Sequence, residues 1–388
     1  MKKSYLMIAA AAALFAACAD TDTFKDVDTQ DVPISFEEAL NKTTRAAITD
    51  ESSLSTAGGF VVYGYNTSTK TNNEYDWTSA NVVTTVFNNV AVTYASSKWT
   101  PNVTRFWNKN ASYNFYAIAP ANSTARAKYG IKTGTGATDL KFTITGAESA
   151  LFGNSQDYLI DRDGAKGVTY ATSTNGTVGI DFHHVMAKVQ VKLKSTLTPG
   201  NTDAGVATAA TITVTSLVMS GWNQNTGNFE QNLVATPTTL QKDEWTLNTT
   251  NTTAGSATLI PSTTTGDDAQ TNIVLTCGSS STTPVTDWWI MVPQEIASGT
   301  LTFTLTYTYV NNNGTPDNAN DDYTETFTDQ TATITTANDA PIIWGTDSHT
   351  TYILDVKPAA IDFSVEICGF GHNEAGYATK PENLIEVN

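Results

Sequence analysis

Four histidines, His183, His184, His349 and His372, are the first residues to test for chemistry, because imidazole serves metals and proton transfer alike. His183 and His184 are adjacent. In a strand they point to opposite faces and cannot share one metal without distortion, so the plain reading is one surface histidine and one packed against the core. The stretch DNANDD, residues 317–322, is rich in oxygen ligands, but it lacks the glycine and terminal glutamate that a helix–loop–helix calcium site requires. It reads as a hairpin tip, and DRDG at 161–164 reads as a turn. No serine sits in a G-x-S-x-G elbow, and no H-E-x-x-H occurs. Carboxylates are plentiful, yet nothing sets two of them across a cleft as glycoside hydrolysis needs. Trp77, Trp99, Trp107, Trp222, Trp245, Trp288, Trp289 and Trp344 could stack sugars or simply fill a core. The expectation is a protein that is not an enzyme, with no metal site and no cofactor.

Two other residues invite covalent chemistry, Cys18 and Arg45. Met1 to Ser4 is a short basic start, and Tyr5 to Ala17 is almost wholly apolar. That run is about 13 residues, short of the roughly 20 that cross a membrane and typical of a signal-peptide core. It ends at LFAAC, small residues directly before Cys18. This is similar to a lipobox, in which the cysteine is acylated and becomes the new N-terminus, although Phe15 stands where leucine is usual. The other reading is an ordinary secretory signal with Cys18 incidental. Arg45, one of only four arginines, lies in the polar stretch NKTTRAAITD. It is either a linker charge or a protease site. Arg126, in NSTARAKYG, is a rival site.

Charge and cysteine usage narrow the partners. The formal net charge is −17, and the first 45 residues hold five of the 21 basic and seven of the 38 acidic side chains, so the rest still carries −15. A body this acidic argues against nucleic acid or anionic lipid as partner, since both need a basic face. Beyond Cys18 there are only Cys277 and Cys368, which could pair in an oxidising compartment or remain thiols.

The elements that must carry all this are strands. In TLTFTLTYTYV, residues 300–310, Leu301, Phe303, Leu305, Tyr307 and Tyr309 fall on one face and threonines on the other, the period-two signature of a strand with one buried face. Similar alternation runs through 59–65, 111–120, 140–146, 185–194, 210–221, 288–294, 351–356 and 361–367. Short strands separated by turn signals indicate an all-β chain of antiparallel sandwiches. The linker-like TYATSTNGTVG suggests a division near 176, giving a signal peptide at 1–17, a leading segment at 18–45, and sandwiches at 46–176 and 177–388.

The stretch FHHVMAKVQVKL resembles the His-x-x-Ala-Lys-Val strand signature of the fimbrillin family, the type V pilins of Gram-negative gut and oral anaerobes, through His184, Ala187, Lys188 and Val189. PQ at the end of IMVPQ (290–294), and a Trp-Gly step followed by two strands across 342–367, fit the same outline, as does the lipobox leader. The resemblance implies two tandem β-sandwich domains of transthyretin-like type in a fimbrial subunit, stalk or tip, that supports adhesion. The precursor would be anchored in the outer membrane through palmitate on Cys18, and the mature subunit would belong to an extracellular fimbrium.

The resemblance also implies a maturation route. An arginine-specific surface protease would cut between Arg45 and Ala46 and release a plug strand. In VPISF (32–36), Val32, Ile34 and Phe36 share one face, and Pro33, which cannot donate a backbone hydrogen bond, suits an edge strand that later leaves. A C-terminal strand of another pilin subunit, in a homo- or hetero-polymer, would refill the groove. The donor would be Ile361, Phe363, Val365 and Ile367 of IDFSVEI, with Asp362, Ser364 and Glu366 facing water, or else the tail NLIEVN (383–388). IDFSVEI could equally be a resident strand that never leaves. A host glycan or protein receptor completes the implied partners. The competing reading is a stationary cell-surface lipoprotein that binds glycans through exposed tryptophans.

Overall fold

The computed structural model describes residues 32–40, 50–77, 84–133, 140–148, 156–161, 165–198, 210–223, 226–232, 244–247, 254–261, 270–285, 289–313, 315, 319–320, 322–358 and 360–369. Nearly all of them are strand or turn, as the alternation predicts. Thr302–Asn311 buries Phe303, Leu305, Tyr307 and Tyr309 on one face, and Leu301 just before it is buried too. Its threonines form cross-strand hydroxyl pairs on the other, Thr304 with Thr331 at 3.3 Å and Thr308 with Thr326 at 3.1 Å.

The first half is built around a sheet that closes on itself. Its strands run in the order Leu159–Asp161, Thr177–His184, Ser35–Leu40, Lys98–Pro101, Thr84–Ala95, Phe60–Thr67, Ser112–Ala119 and Ala165–Val168. Leu159–Asp161 also pairs with Ser112–Ala119, so the wall is continuous. Phe60 and Val62 point inward, to a core with Ile34, Phe36, Phe87, Trp99, Phe115 and Phe182. Val61 and Tyr63, one residue out of phase, point outward. That outer face is covered by a four-stranded sheet of Trp245–Leu247, Gly227–Asn232, Leu140–Ala147 and Tyr129–Thr133, which contributes Phe142, Ile144, Phe229 and Trp245 to the first half's outer core.

The second half is a true sandwich. One sheet orders Ser279–Pro284, Ala187–Ser195, Ser348–Lys357 and Ala360–Gly369, with Trp289–Met291 also on Ala187–Ser195. The other orders Ala254–Ile260, Ala210–Asn223, Thr302–Asn311 and Tyr323–Thr333, with Ile273–Thr276 also on Ala210–Asn223. Val189, Val191, Leu193, Tyr352 and Leu354 meet Met219, Phe303, Leu305 and Tyr307 between them.

Sheet membership corrects the expected boundary at 176/177. Thr177–His184 belongs to the barrel, and the chain crosses to the sandwich after Val185 and Met186, which still pack in the first half's outer core. Gly227–Asn232 and Trp245–Leu247 then return to the first half. The stretch before Thr177 has a linker's composition but is a hydrogen-bonded turn in the barrel wall: Thr174 and Thr177 exchange backbone bonds, and Gly176 N–H donates to the Ser173 hydroxyl. Gly, Asn, Ser and Thr serve tight turns and linkers alike.

The cysteines are also separated. The Cys277 thiol lies 3.7 Å from the Ser195 hydroxyl. The Cys368 backbone is in register with His349, which pairs with Lys188 at the other end of the same sheet. Seven residues of strand, about 23 Å, lie between Lys188 and Ser195, whereas a disulfide needs Cα atoms within about 7 Å. Burial raises the Cys277 thiol pKa and keeps it protonated. A chain running from Ala46 to Asn388, unfolded under non-reducing conditions, is expected to titrate with two free thiols and to show no mass change on reduction.

Candidate functional site: a slot in the barrel wall

Ser35–Leu40, the leading strand, is a stave of the barrel. It runs parallel to Thr177–His184 along its whole length, from Ser35↔Thr177 to Leu40↔Phe182. On its other side it touches Lys98–Pro101 through Phe36↔Trp99. It is therefore an interior strand, which corrects the edge-strand expectation. Pro33 is tolerated because it sits at the barrel's mouth, where the ladder bonds come from its neighbours. Ile34 N–H donates to Arg105 O at 2.8 Å, and Trp107 N–H donates to Val32 O at 3.0 Å.

The three expected plug residues do face one core. Ile34 and Phe36 are 2% and 3% exposed, and Val32 packs half-buried at the rim. The Phe36 ring enters an aromatic box, meeting Phe60, Phe87 and Phe115 at centroid distances of 6.2, 5.8 and 5.6 Å, each edge-on. Such contacts contribute about 0.5–1.5 kcal/mol each beyond area burial. Gly176 sets the close approach at the rim. Its φ is +85°, and a Cβ there would meet Val32 Cγ1 at 2.6 Å. Its carbonyl accepts from both Ser35 N–H and Trp107 Nε1.

Ala360–Gly369, the terminal strand, is an edge strand. It pairs antiparallel with Ser348–Lys357 from Ser348↔Gly369 to Lys357↔Ala360 and has no described partner on its other side. Ile361 packs half-buried on the sandwich core, and Phe363, Val365 and Ile367 pair in register with Leu354, Tyr352 and Thr350. Asp362, Ser364 and Glu366 pair in register with Asp355, Ile353 and Thr351. The tail 383–388 lies outside the described residues, as do Cys18, Arg45, Ala46 and Arg162. The rival Arg126 is held, its guanidinium donating to Asn89 O at 2.8 Å. Arg105 is held likewise, by Val86 O at 3.3 Å.

The His184, Ala187, Lys188 and Val189 group forms the joint between the halves. The His184 ring nitrogen Nδ1 lies 3.0 Å from the buried Asp157 carboxylate. Ala187 and Val189 enter the sandwich core, and Lys188 is almost fully buried between Ile290 and His349. His183 is not a plain surface residue, since Asp181 and Asp347 carboxylates stand 3.4 and 3.9 Å away. Among the described residues no group of His, Cys, Asp and Glu has metal-binding geometry. Trp99, Trp107, Trp222, Trp245, Trp289 and Trp344 are all buried, which removes them as a sugar-stacking platform.

Comparison with known proteins gives a family and a fold. A family model described as Fimbrillin-like matches residues 44–338. The crystal structure of a fimbrial protein from Bacteroides vulgatus shares the fold, with a TM-score of 0.60 and 18% identity over 87% of this chain and 99% of that one. A second crystal structure, of a Bacteroides uniformis protein, aligns with a TM-score of 0.41 and 14% identity, over 87% of this chain and 98% of that one. No curated protein matches.

Two outcomes follow from the site. Replacing Phe36 by Ala in the uncleaved chain is expected to lower unfolding stability by about 3–5 kcal/mol, read from urea midpoints. The second concerns His349, which burial and then the Lys188 and Lys192 ammoniums hold down at a pKa of about 3, against 6.5 in the unfolded chain. Between those values the unfolded chain binds a proton that the folded chain refuses, so stability falls as pH drops from about 6.5 towards 3. A His349→Gln variant is expected to flatten that limb by up to about 1.4 kcal/mol per pH unit.

Proposed function

We propose that this chain, which belongs to the fimbrillin-like family, is a non-enzymatic fimbrial subunit supporting adhesion at the cell surface, activated by loss of its leading strand. The observation that carries the reading is the leading strand's position. It is the first described strand, it closes a barrel whose other staves all come from later in the chain, and Arg45 follows Leu40 by five residues. Hydrolysis of the Arg45–Ala46 bond would turn the leading strand into a separate peptide held by one long ladder and by Phe36.

Departure of that peptide would leave two strand edges, on Thr177–His184 and Lys98–Pro101, above a floor of Phe60, Phe87 and Phe115. Unpaired backbone over an apolar floor is a template for strand addition. A strand from another pilin subunit would restore both, and burying several apolar side chains at about 1.5–3 kcal/mol each would make the joint durable. Acylation at Cys18 would hold the precursor at the outer membrane until cleavage. The buried tryptophans weigh against a stationary glycan-binding lipoprotein.

Mass spectrometry of the protein recovered from native cell surface tests this. A chain beginning at Ala46 is expected, with Arg45→Ala material retaining residues 32–40 and forming no SDS-resistant oligomers. Wild-type material beginning at acylated Cys18, with 32–40 retained, would overturn the activation.

A further inference from the structure

We infer that the acidic segment 20–31 docks on the mouth of the barrel, over Arg105, Phe106 and Lys109, and so helps to hold the leading strand in its slot. The docking stands on the mouth and on the sequence that enters it. Its effect on release rests on the activation proposed above.

Residues 102–109 cross the end of the barrel where the leading strand enters, and they are firmly placed. Asn102 N–H donates to Ala91 O at 2.9 Å, Ile34 N–H to Arg105 O at 2.8 Å, and the Trp107 indole to Gly176 O at 2.9 Å. Val103 and Phe106 nevertheless stay 37% and 50% exposed. Among the described residues only Val274, Tyr323 and Ile343 are large hydrophobics as exposed as these, and none of them belongs to the barrel. Single exposed apolar residues are ordinary, but two within four residues at one opening form a patch.

The same stretch carries two cations that pair with no carboxylate among the described residues. Arg105 donates only to backbone carbonyls, Val86 O at 3.3 Å and Thr104 O at 3.4 Å. The Lys109 ammonium stands over the Tyr170 ring, 5.5 Å from its centroid. In a chain of net charge −17, a rim both basic and apolar is an exception. Its complement is a partner with several carboxylates and a few apolar side chains.

Segment 20–31 is that complement in composition and in place. DTDTFKDVDTQD holds five aspartates against one lysine, and its large apolar residues are Phe24 and Val27. It ends at Asp31, next to Val32, whose carbonyl accepts from Trp107 N–H at 3.0 Å. Arg105 and Lys109 flank Trp107 by two residues each, so the segment is tethered beside both cations. Twelve residues reach up to about 40 Å when extended, ample to cross the rim. A second copy also offers carboxylates, but it competes from free solution, whereas a short tether supplies an effective concentration of about millimolar. Exposed ion pairs are weak singly and are screened by salt, so the hold is salt-sensitive. After hydrolysis at Arg45 it would add to the ladder and to Phe36 in retaining the freed peptide.

The docking is tested before any cut, in full-length chain carrying Asp20→Asn, Asp22→Asn, Asp26→Asn, Asp28→Asn and Asp31→Asn together. An amine-acylating reagent, mapped by mass spectrometry at low salt, is expected to modify Lys109 several times faster in this variant than in the wild type. Lys132, exposed on the outer sheet, is the reference and should not change. Equal rates at Lys109 would overturn the docking. Protection that survives the five changes and grows with chain concentration would assign the rim to a second copy and overturn it too. The consequence is read after cutting with an arginine-specific protease. Release of the leading peptide is expected to be roughly tenfold faster in that variant, and in Arg105→Gln, Lys109→Gln chain, than in the wild type. Wild-type release should approach theirs in about 1 M salt, where the screening length falls to about 3 Å. One release rate in all three chains would overturn the hold on the strand. Protection of Lys109 in the uncut wild type, with no release from any chain, would leave the docking standing and sink the activation.

Discussion

A closed sheet has no free edge, so each stave satisfies backbone groups on both neighbours, and removing one exposes two rows at once. That constraint governs the first half of this chain. Ser35–Leu40 lies between Thr177–His184 and Lys98–Pro101, and no other described strand bridges them. Its inward residues complete the aromatic packing around Phe60, Phe87 and Phe115. Ladder and core are therefore completed by the same short segment, and that segment is also separable in sequence from the rest of the barrel.

The barrel is tied to the sandwich more closely than a two-domain division implies. The outer sheet draws strands from both sides of the crossing, and Ile290 and Val292 from beyond it share the same core. At the crossing, Trp245 Nε1 donates to Val185 O at 2.9 Å, and Asp347 N–H donates to Met186 O at 3.2 Å. Paired acids hold both His183 and His184 there. A motif that looks like candidate chemistry in the sequence thus serves as the fitting between two cores.

Period-two alternation made most strands legible, because burial of one face leaves that mark in the residues themselves. The row Leu301 to Tyr309 and the inward set Ile34 and Phe36 are cases where the sequence pattern and the exposure agree. Thr84–Ala95 escaped because Asn88 and Asn89 look like a turn. Asn89 has a φ of +55° in mid-strand, beside a register shift against Phe60–Thr67. Barrel closure was invisible for a different reason. It depends on Leu159–Asp161, three residues long, reaching two partners at once, and no local pattern encodes which strands are neighbours. The same limit hid the parallel pairing of Ser35–Leu40, since an interior stave and an edge strand share the same alternation.

The parallel pairing of Ala187–Ser195 with Ser348–Lys357 has a mechanical consequence. The first of these strands leaves the barrel and begins at Ala187; the second ends at Lys357, where the chain turns into Ala360–Gly369. A pull between the barrel and the terminal strand would thus act on the start of one strand and the end of its parallel neighbour. In that geometry the ladder from Lys188↔His349 to Lys194↔Asp355 is strained in shear, all its bonds sharing the tension together, instead of opening one after another like a zip.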